Sequence, residues 1–227
     1  MLIPMTALVL TLIGQSTGAQ TDRLIEAQRL DACIAKLDTD PEGAYEDGLA
    51  WVNEGGRPFA RQCTALALVE LGQAAEGAIR LEDLANADNG GSVAQRVIYL
   101  TQSGNAWLLA GAPEAALVTL NNAIKLSPTD PTLKADRAAA YMALGQWHSA
   151  ERDLDIAARV RPYDTNILQM RAETRLQLND LAGAEQDVNA AMALDDTEIP
   201  TLLLRGRVRE ALRLASDDAP IRSIAPN

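Results

Sequence analysis

Aromatic residues are scarce in this chain: one Phe, three Trp and four Tyr among 227 residues. Sheets collect aromatic and β-branched side chains, whereas the apolar fraction here, 48%, is dominated by Ala and Leu. That balance excludes most all-β designs and favours closely packed helices. Histidine is nearly missing as well. His148 stands alone, so no histidine pair can hold a metal and no evident base attends a nucleophile. Neither a Gly-rich phosphate loop nor a metal-binding motif accompanies the abundant carboxylates, which on amphipathic helices are ordinary solvated faces. No catalytic residue, metal or cofactor is expected.

Positive charge is also short. Twenty Lys and Arg against 31 Asp and Glu leave a formal charge of -11, which disfavours nucleic acid, since such binding needs basic patches that displace counterions from phosphates. Arg207, Arg209 and Arg213 lie close together, but Glu210 interrupts them and they read as a solvated helix face.

Only one long hydrophobic run is present, Leu2 to Ile13, too short for a bilayer span of about 20 residues. The small and polar stretch Gly14 to Ala19 follows it, with no charged residue before Asp22. The segment resembles a secretory signal peptide cleaved after Ala19, although the usual Lys or Arg at its start is missing. The expectation is an exported chain, periplasmic in a Gram-negative bacterium, with no stable membrane span after cleavage; an uncleaved anchor and a buried first helix are the competing readings of this segment.

What the chain does have is a repeat. Ala116, Ala150 and Ala184 recur every 34 residues, as do Ala123, Ala157 and Ala191, with Leu120, Leu154 and Val188 between them. Gly104, Ala138, Ala172 and Gly206 keep the same register, and so do Gly111, Gly145 and Asn179, then Leu126, Val160 and Leu194, then Pro128 and Pro162. Each unit reads as a helix, a tight turn at Gly or Asn, a second helix, and a stop carrying Pro.

These residues resemble the tetratricopeptide repeat. Gly104, Trp107, Gly111, Ala116, Leu120, Ala123 and Pro128 match its pattern in order, as do Ala138, Tyr141, Gly145, Ala150, Leu154, Ala157 and Pro162. The third unit departs with Arg175 at the usual aromatic position and Asp196 at the Pro. The expected fold is therefore all-α, a right-handed α-solenoid of antiparallel helix hairpins. The expected layout is a signal peptide at 1–19, N-terminal helices at 20–57, a degenerate unit at 58–91, and units at 97–130, 131–164 and 165–198. A capping helix at 199–214 and a loose tail at 215–227 complete it. The stretch Asp88 to Ser92, which lengthens one repeat by five residues, reads as the most flexible joint.

Two pairs recur with the repeat. Arg137 with Asp153 and Arg171 with Asp187 are each sixteen residues apart, and Ser103 with Thr119 occupy the same places one unit earlier. The joint change from charged pair to hydroxyl pair predicts contact across the hairpin, a structural ion pair and not a ligand site. Cys33 and Cys63, the only cysteines, form no CxxC pair. They fall on helices that a solenoid would place side by side, and read either as one disulfide in an oxidising compartment or as two buried thiols.

The resemblance implies that the first helix of each hairpin lines a groove for a partner's peptide or helix. On this chain that face carries Thr101, Asn105, Leu108 and Leu109, then Ala135, Ala139 and Met142, then Asn166, Gln169, Glu173 and Leu176. Some family members clamp a terminal carboxylate with Lys, Arg and Asn; here only Asn105 fits, while Thr101, Asp136 and Met170 occupy other clamp positions. An apolar or helical segment of another protein is the expected ligand. The expected role is a non-catalytic interaction scaffold of the cell envelope, with an accessory of a peptidoglycan- or carbohydrate-processing assembly, or a purely architectural oligomer, as the competing readings.

Overall fold

Asp and Pro punctuate this chain at the places where helices start. Asp40 precedes Pro41, Asp130 precedes Pro131, and each aspartate accepts a hydrogen bond from a backbone N–H of the turn it opens, from Gly43 and Thr132 respectively. Asp164 and Asp180 cap their helices in the same way, through Ile167 and Gly183. Ser92 forms a reciprocal capping box with Gln95.

The computed structural model describes residues 6–55 and 57–217, with side chains from Thr21 onward. Eleven helices are found among the described residues: α1 (Thr6–Leu37), α2 (Pro41–Asn53), α3 (Pro58–Glu70), α4 (Ala74–Asn86), α5 (Val93–Leu109), α6 (Pro113–Leu126), α7 (Pro131–Ala143), α8 (Trp147–Val160), α9 (Thr165–Gln177), α10 (Leu181–Leu194) and α11 (Ile199–Asp217). No strand occurs among them. The chain is all-α, and within α1–α5 and within α6–α11 short turns return each helix beside its predecessor, the signature of an α-solenoid.

The turns explain the period. Gly72, Gly111, Gly145 and Asn179 all have positive φ, from 60° to 78°. At three of them the next residue's N–H reaches five residues back: Gln73 to Leu68, Gln146 to Tyr141 and Asp180 to Arg175. That pattern closes a helix with a left-handed residue, a conformation natural to Gly and tolerated by Asn.

Two compact units divide the chain, one reaching Ala110 and the other starting at Gly111. In the first, α1 packs on α2 and α3, and α3 to α5 follow in sequence. Cys33, Leu37, Ala44, Trp51, Ala60, Cys63 and Ala67 form one buried cluster there. The two cysteines are joined, with Cα atoms 6.0 Å apart, so α1 is covalently fastened to α3. In the second unit α6 to α11 stack in order, and α9 also touches α7 and α11. Alanines at zero exposure, Ala138, Ala150, Ala157, Ala172, Ala184 and Ala191, sit where the helices meet, because only a small side chain lets two backbones approach closely.

Three features differ from the sequence reading. α5 starts at Val93, ahead of the repeat's Val97, because the Ser92 box nucleates it early. The loop before it, expected to be the loosest joint, is fastened: Arg96 donates to the carbonyl oxygens of Ala85, Ala87, Asp88 and Gly91. Ala215 to Asp217, assigned to the loose tail, continue α11, since Arg213 pairs with Glu210 and Asp217 one turn either side. Residues 218–227 of that tail lie outside the described residues. α1 spans Thr6–Leu37 with no Pro to interrupt it and so includes the proposed cleavage point at Ala19. Residues 1–5 of the signal-peptide reading lie outside the described residues, as do the side chains of residues 6–19. Among the described residues no helix is long and apolar enough to cross a membrane.

Candidate functional site

The periodic charges meet. Arg137 donates from Nε and Nη2 to the two carboxylate oxygens of Asp153 at 2.7 and 2.8 Å, and from Nη1 to Asn121 Oδ1 at 2.7 Å. Arg171 repeats the arrangement with Asp187 at 2.9 and 2.6 Å and with Asp155 at 3.2 Å. Each arginine thus bridges two second helices, one sixteen residues ahead and one sixteen behind. The backward contacts to Asn121 and Asp155 were not foreseen.

Asp153 and Asp187 are buried, with side chains 6% and 2% exposed. The hydrogen bonds to Asp153 hold the Arg137 guanidinium above its usual range, against the pull of burial. Burial lowers Arg171, and its contacts with Asp187 and Asp155 outweigh that, so it too is raised. Arg175, at the family's aromatic position, joins the second pair by donating from Nη1 to Asp187 Oδ2 at 2.8 Å. In the preceding unit Tyr141 stands at that position and lies under the Arg137 guanidinium, 5.6 Å from ring centroid to Cζ. Ser103 turns to the preceding hairpin, donating to the Ala78 carbonyl at 2.9 Å.

The predicted groove residues fall into two sets. On α5, Thr101 spends its hydroxyl on the Val97 carbonyl, Asn105 and Leu109 are exposed and Leu108 is half-buried. In the second unit, Met142, Asn166, Gln169 and Glu173 line one hollow of about 360 Å³ together with Met170 and, from α11, Pro200, Leu203, Leu204 and Arg207. Ala139 and Leu176 are half-buried beside it in sequence but do not line it. Ala135 must be removed from the surface set: at 8% exposure it packs in the core with Leu154 and Ile167, which its small side chain permits.

Polar groups frame this hollow and occupy one another. Arg207 grips Glu173 with two hydrogen bonds at 2.6 and 2.9 Å, and the two residues are 34 apart, the same position in successive repeats. Glu173 is held below the usual carboxylate range: burial raises it, and the bonds from Arg207 and Gln177 overcome that. Gln169 donates to Glu198 and Thr201 at 2.6 and 2.7 Å. What is left of the lining is mostly apolar, two methionines, two leucines and a proline. The contribution of α11 escaped the sequence reading, which treated it as a cap; yet Pro200, Leu203 and Arg207 stand 34 residues after Asn166, Gln169 and Glu173, and that register would have found them.

A larger hollow of about 740 Å³ lies in the first unit among α1, α3 and the start of α5. None of the predicted groove residues lines it, its central charges Arg57 and Glu26 already pair at 2.7 Å, and its wall at Asp22 and Arg23 adjoins side chains outside the described set. The smaller hollow therefore stands as the candidate site. Among the described residues no cluster of His, Cys, Asp and Glu is arranged to hold a metal ion.

Neither a protein-family profile nor a curated protein matches this chain. Solved structures do. A thermophilic tetratricopeptide-repeat protein of Thermus thermophilus superposes with a TM-score of 0.61 at 21% identity, over 83% of this chain and 99% of that one. The Sgt2 tetratricopeptide-repeat domain from Aspergillus fumigatus gives 0.51 at 20% identity, over 58% and 88%. The first such domain of Spaghetti (RPAP3), bound to the HSP90 peptide SRMEEVD, gives 0.50 at 24% identity, over 52% and 94%. The fold is that of the tetratricopeptide repeat.

Proposed function

We propose that the protein is a non-catalytic interaction scaffold that holds an apolar or helical segment of another protein in the hollow of α7, α9 and α11. The observation that carries this is the lining itself: Met142, Met170, Pro200, Leu203 and Leu204, with the neighbouring charges already paired. Unbranched methionine adapts to varied apolar surfaces. The RPAP3 domain of the same fold holds a peptide, which supports a peptide-like ligand here. An acidic tail such as SRMEEVD is a poor fit, because Arg207 is the only cation of the hollow's described lining and is committed to Glu173. The scaffold is proposed to work in the cell envelope after export, a reading supported by the Leu2–Ile13 run and by the Cys33–Cys63 bond, which suits an oxidising compartment.

One experiment addresses both parts. Tagged protein recovered from the periplasm of the native host is expected to start at Gln20 by intact mass and to bring down one partner. The double variant Met142→Asp, Leu203→Asp should lose that partner while keeping its helical circular dichroism. Recovery only from the cytoplasm overturns the export reading, and undiminished partner recovery by the variant overturns the hollow.

A further inference from the structure

Among the described residues, two arginines on α11 lack the acid that their register calls for. Arg205 and Arg209 stand 34 residues after Arg171 and Arg175, the two that converge on Asp187. Arg207 and Arg213 on the same helix are engaged, with Glu173 and with Glu210 and Asp217. Arg205 and Arg209 make no ion pair or hydrogen bond among the described residues. The place equivalent to Asp153 and Asp187 is position 221, which holds Ile221. Among the described residues no carboxylate takes that place.

A second observation concerns shape. Gly206 occupies the small-residue position at which Ala138 and Ala172 are fully buried against the second helix of their hairpins. A Cβ added at Gly206 would meet nothing within 4 Å, whereas one added at Gly77, inside a packed hairpin, would come within 2.7 Å of the Ala65 carbonyl oxygen. Glycine inside a helix is costly unless something approaches it closely. The turn is missing too. Arg213 stands where Gly111, Gly145 and Asn179 reverse the chain, and α11 passes straight through it to Asp217. So α11 keeps the full face of a first helix, with Leu202, Arg205, Gly206 and Arg209 along it, and the described chain does not fold back to cover it.

We propose that this face docks an acidic helix of a partner protein, whose central aspartate or glutamate takes the role that Asp187 plays between Arg171 and Arg175. Charge complementarity selects the occupant: two like charges one turn apart repel, and a shared carboxylate reverses that repulsion. Gly206 adds a demand for small residues flanking the acid, as Ala184 and Ala191 flank Asp187. The surface lies on a different side of α11 from Leu203 and Arg207, so it is independent of the hollow described above.

The probe is a side-chain-stapled peptide of the α10 sequence, Leu181–Leu194, titrated into the full chain and followed by fluorescence anisotropy. Binding is expected, and both Asp→Asn at its central acid and the protein variant Arg205→Glu, Arg209→Glu should weaken it by at least about tenfold. A peptide with Lys at that place should recover affinity for the Glu variant, a rescue that lost folding could not give. Met142→Asp, Leu203→Asp should leave the peptide's affinity unchanged; loss there would move the peptide to the hollow and overturn the assignment. Equal affinity of the Asn peptide also overturns it. Concentration-dependent self-association of the chain that the Glu variant abolishes would give the face to a second copy instead. Peptide binding that appears only after shortening the chain to Asp217 would give it to the residues beyond.

Discussion

Replacing Arg137 by alanine is expected to destabilise the fold by about 3–5 kcal/mol, the usual cost of leaving a buried charge without its partner. Asp153 would keep a side chain only 6% exposed and lose both hydrogen bonds that Arg137 gives it. The equivalent change at Arg171 should cost less, because Arg175 still reaches Asp187 at 2.8 Å. Replacing Arg137 and Asp153 together by leucines should recover most of the loss, since a well-packed apolar pair often matches a buried ion pair. Urea unfolding of these variants beside the parent chain measures this, with the chain's two units fitted separately where their transitions part. Equal losses at Arg137 and Arg171 would contradict the assignment of Arg175 as a second partner.

Reduction of the Cys33–Cys63 bond is expected to cost about 3 kcal/mol, the magnitude typical of a cross-link closing a loop of this size. The residues are 30 apart, and the bond joins α1 to α3 inside the cluster that includes Trp51. The first unit's Tm should fall by roughly 10–20 °C. The loss should be local: amide exchange should quicken in α1 and α2 and stay unchanged in α9 to α11. Uniform quickening along the chain would mean that the two units unfold as one.

The 34-residue register explains both what could be read early and what could not. It placed the turn at Asn179, the one described non-glycine residue with positive φ, and it brought Arg137 and Arg171 to their aspartates. It was applied in one direction only, from each arginine forward to its own hairpin, so Asn121 and Asp155 went unnoticed although they lie equally far behind. The register itself reaches Gly206, but the groove face read from it ends at Leu176, and so the four α11 residues of the hollow are missing from that face. Ala135 failed for another reason. A small residue on a first helix can line a groove or admit a neighbouring backbone, and periodicity does not separate the two. The start of α5 depended on local chemistry, the Ser92 and Gln95 box, which a tertiary repeat does not encode. Arg175 broke the family pattern, and its role became visible only when Asp187 was seen between two guanidinium groups.

Both surfaces of the second unit now have a physical reason for what they exclude. On the proposed reading the hollow disfavours acidic tails because the one arginine of its described lining is occupied, while the other side of α11 asks for a carboxylate because Arg205 and Arg209 have no partner among the described residues. A scaffold with these two faces can hold one apolar segment and one acidic helix at once, which simple competition between the two ligands would disprove.

The most direct test of the hollow is site-specific photo-cross-linking in the native host, with a photoreactive residue placed in turn at Leu203, at Met142 and at the exposed Tyr163, which does not line it. The account predicts that one protein is captured from the first two positions and none from Tyr163. Capture of that protein from Tyr163 as strongly as from Leu203, or from neither of the hollow's positions, would contradict it.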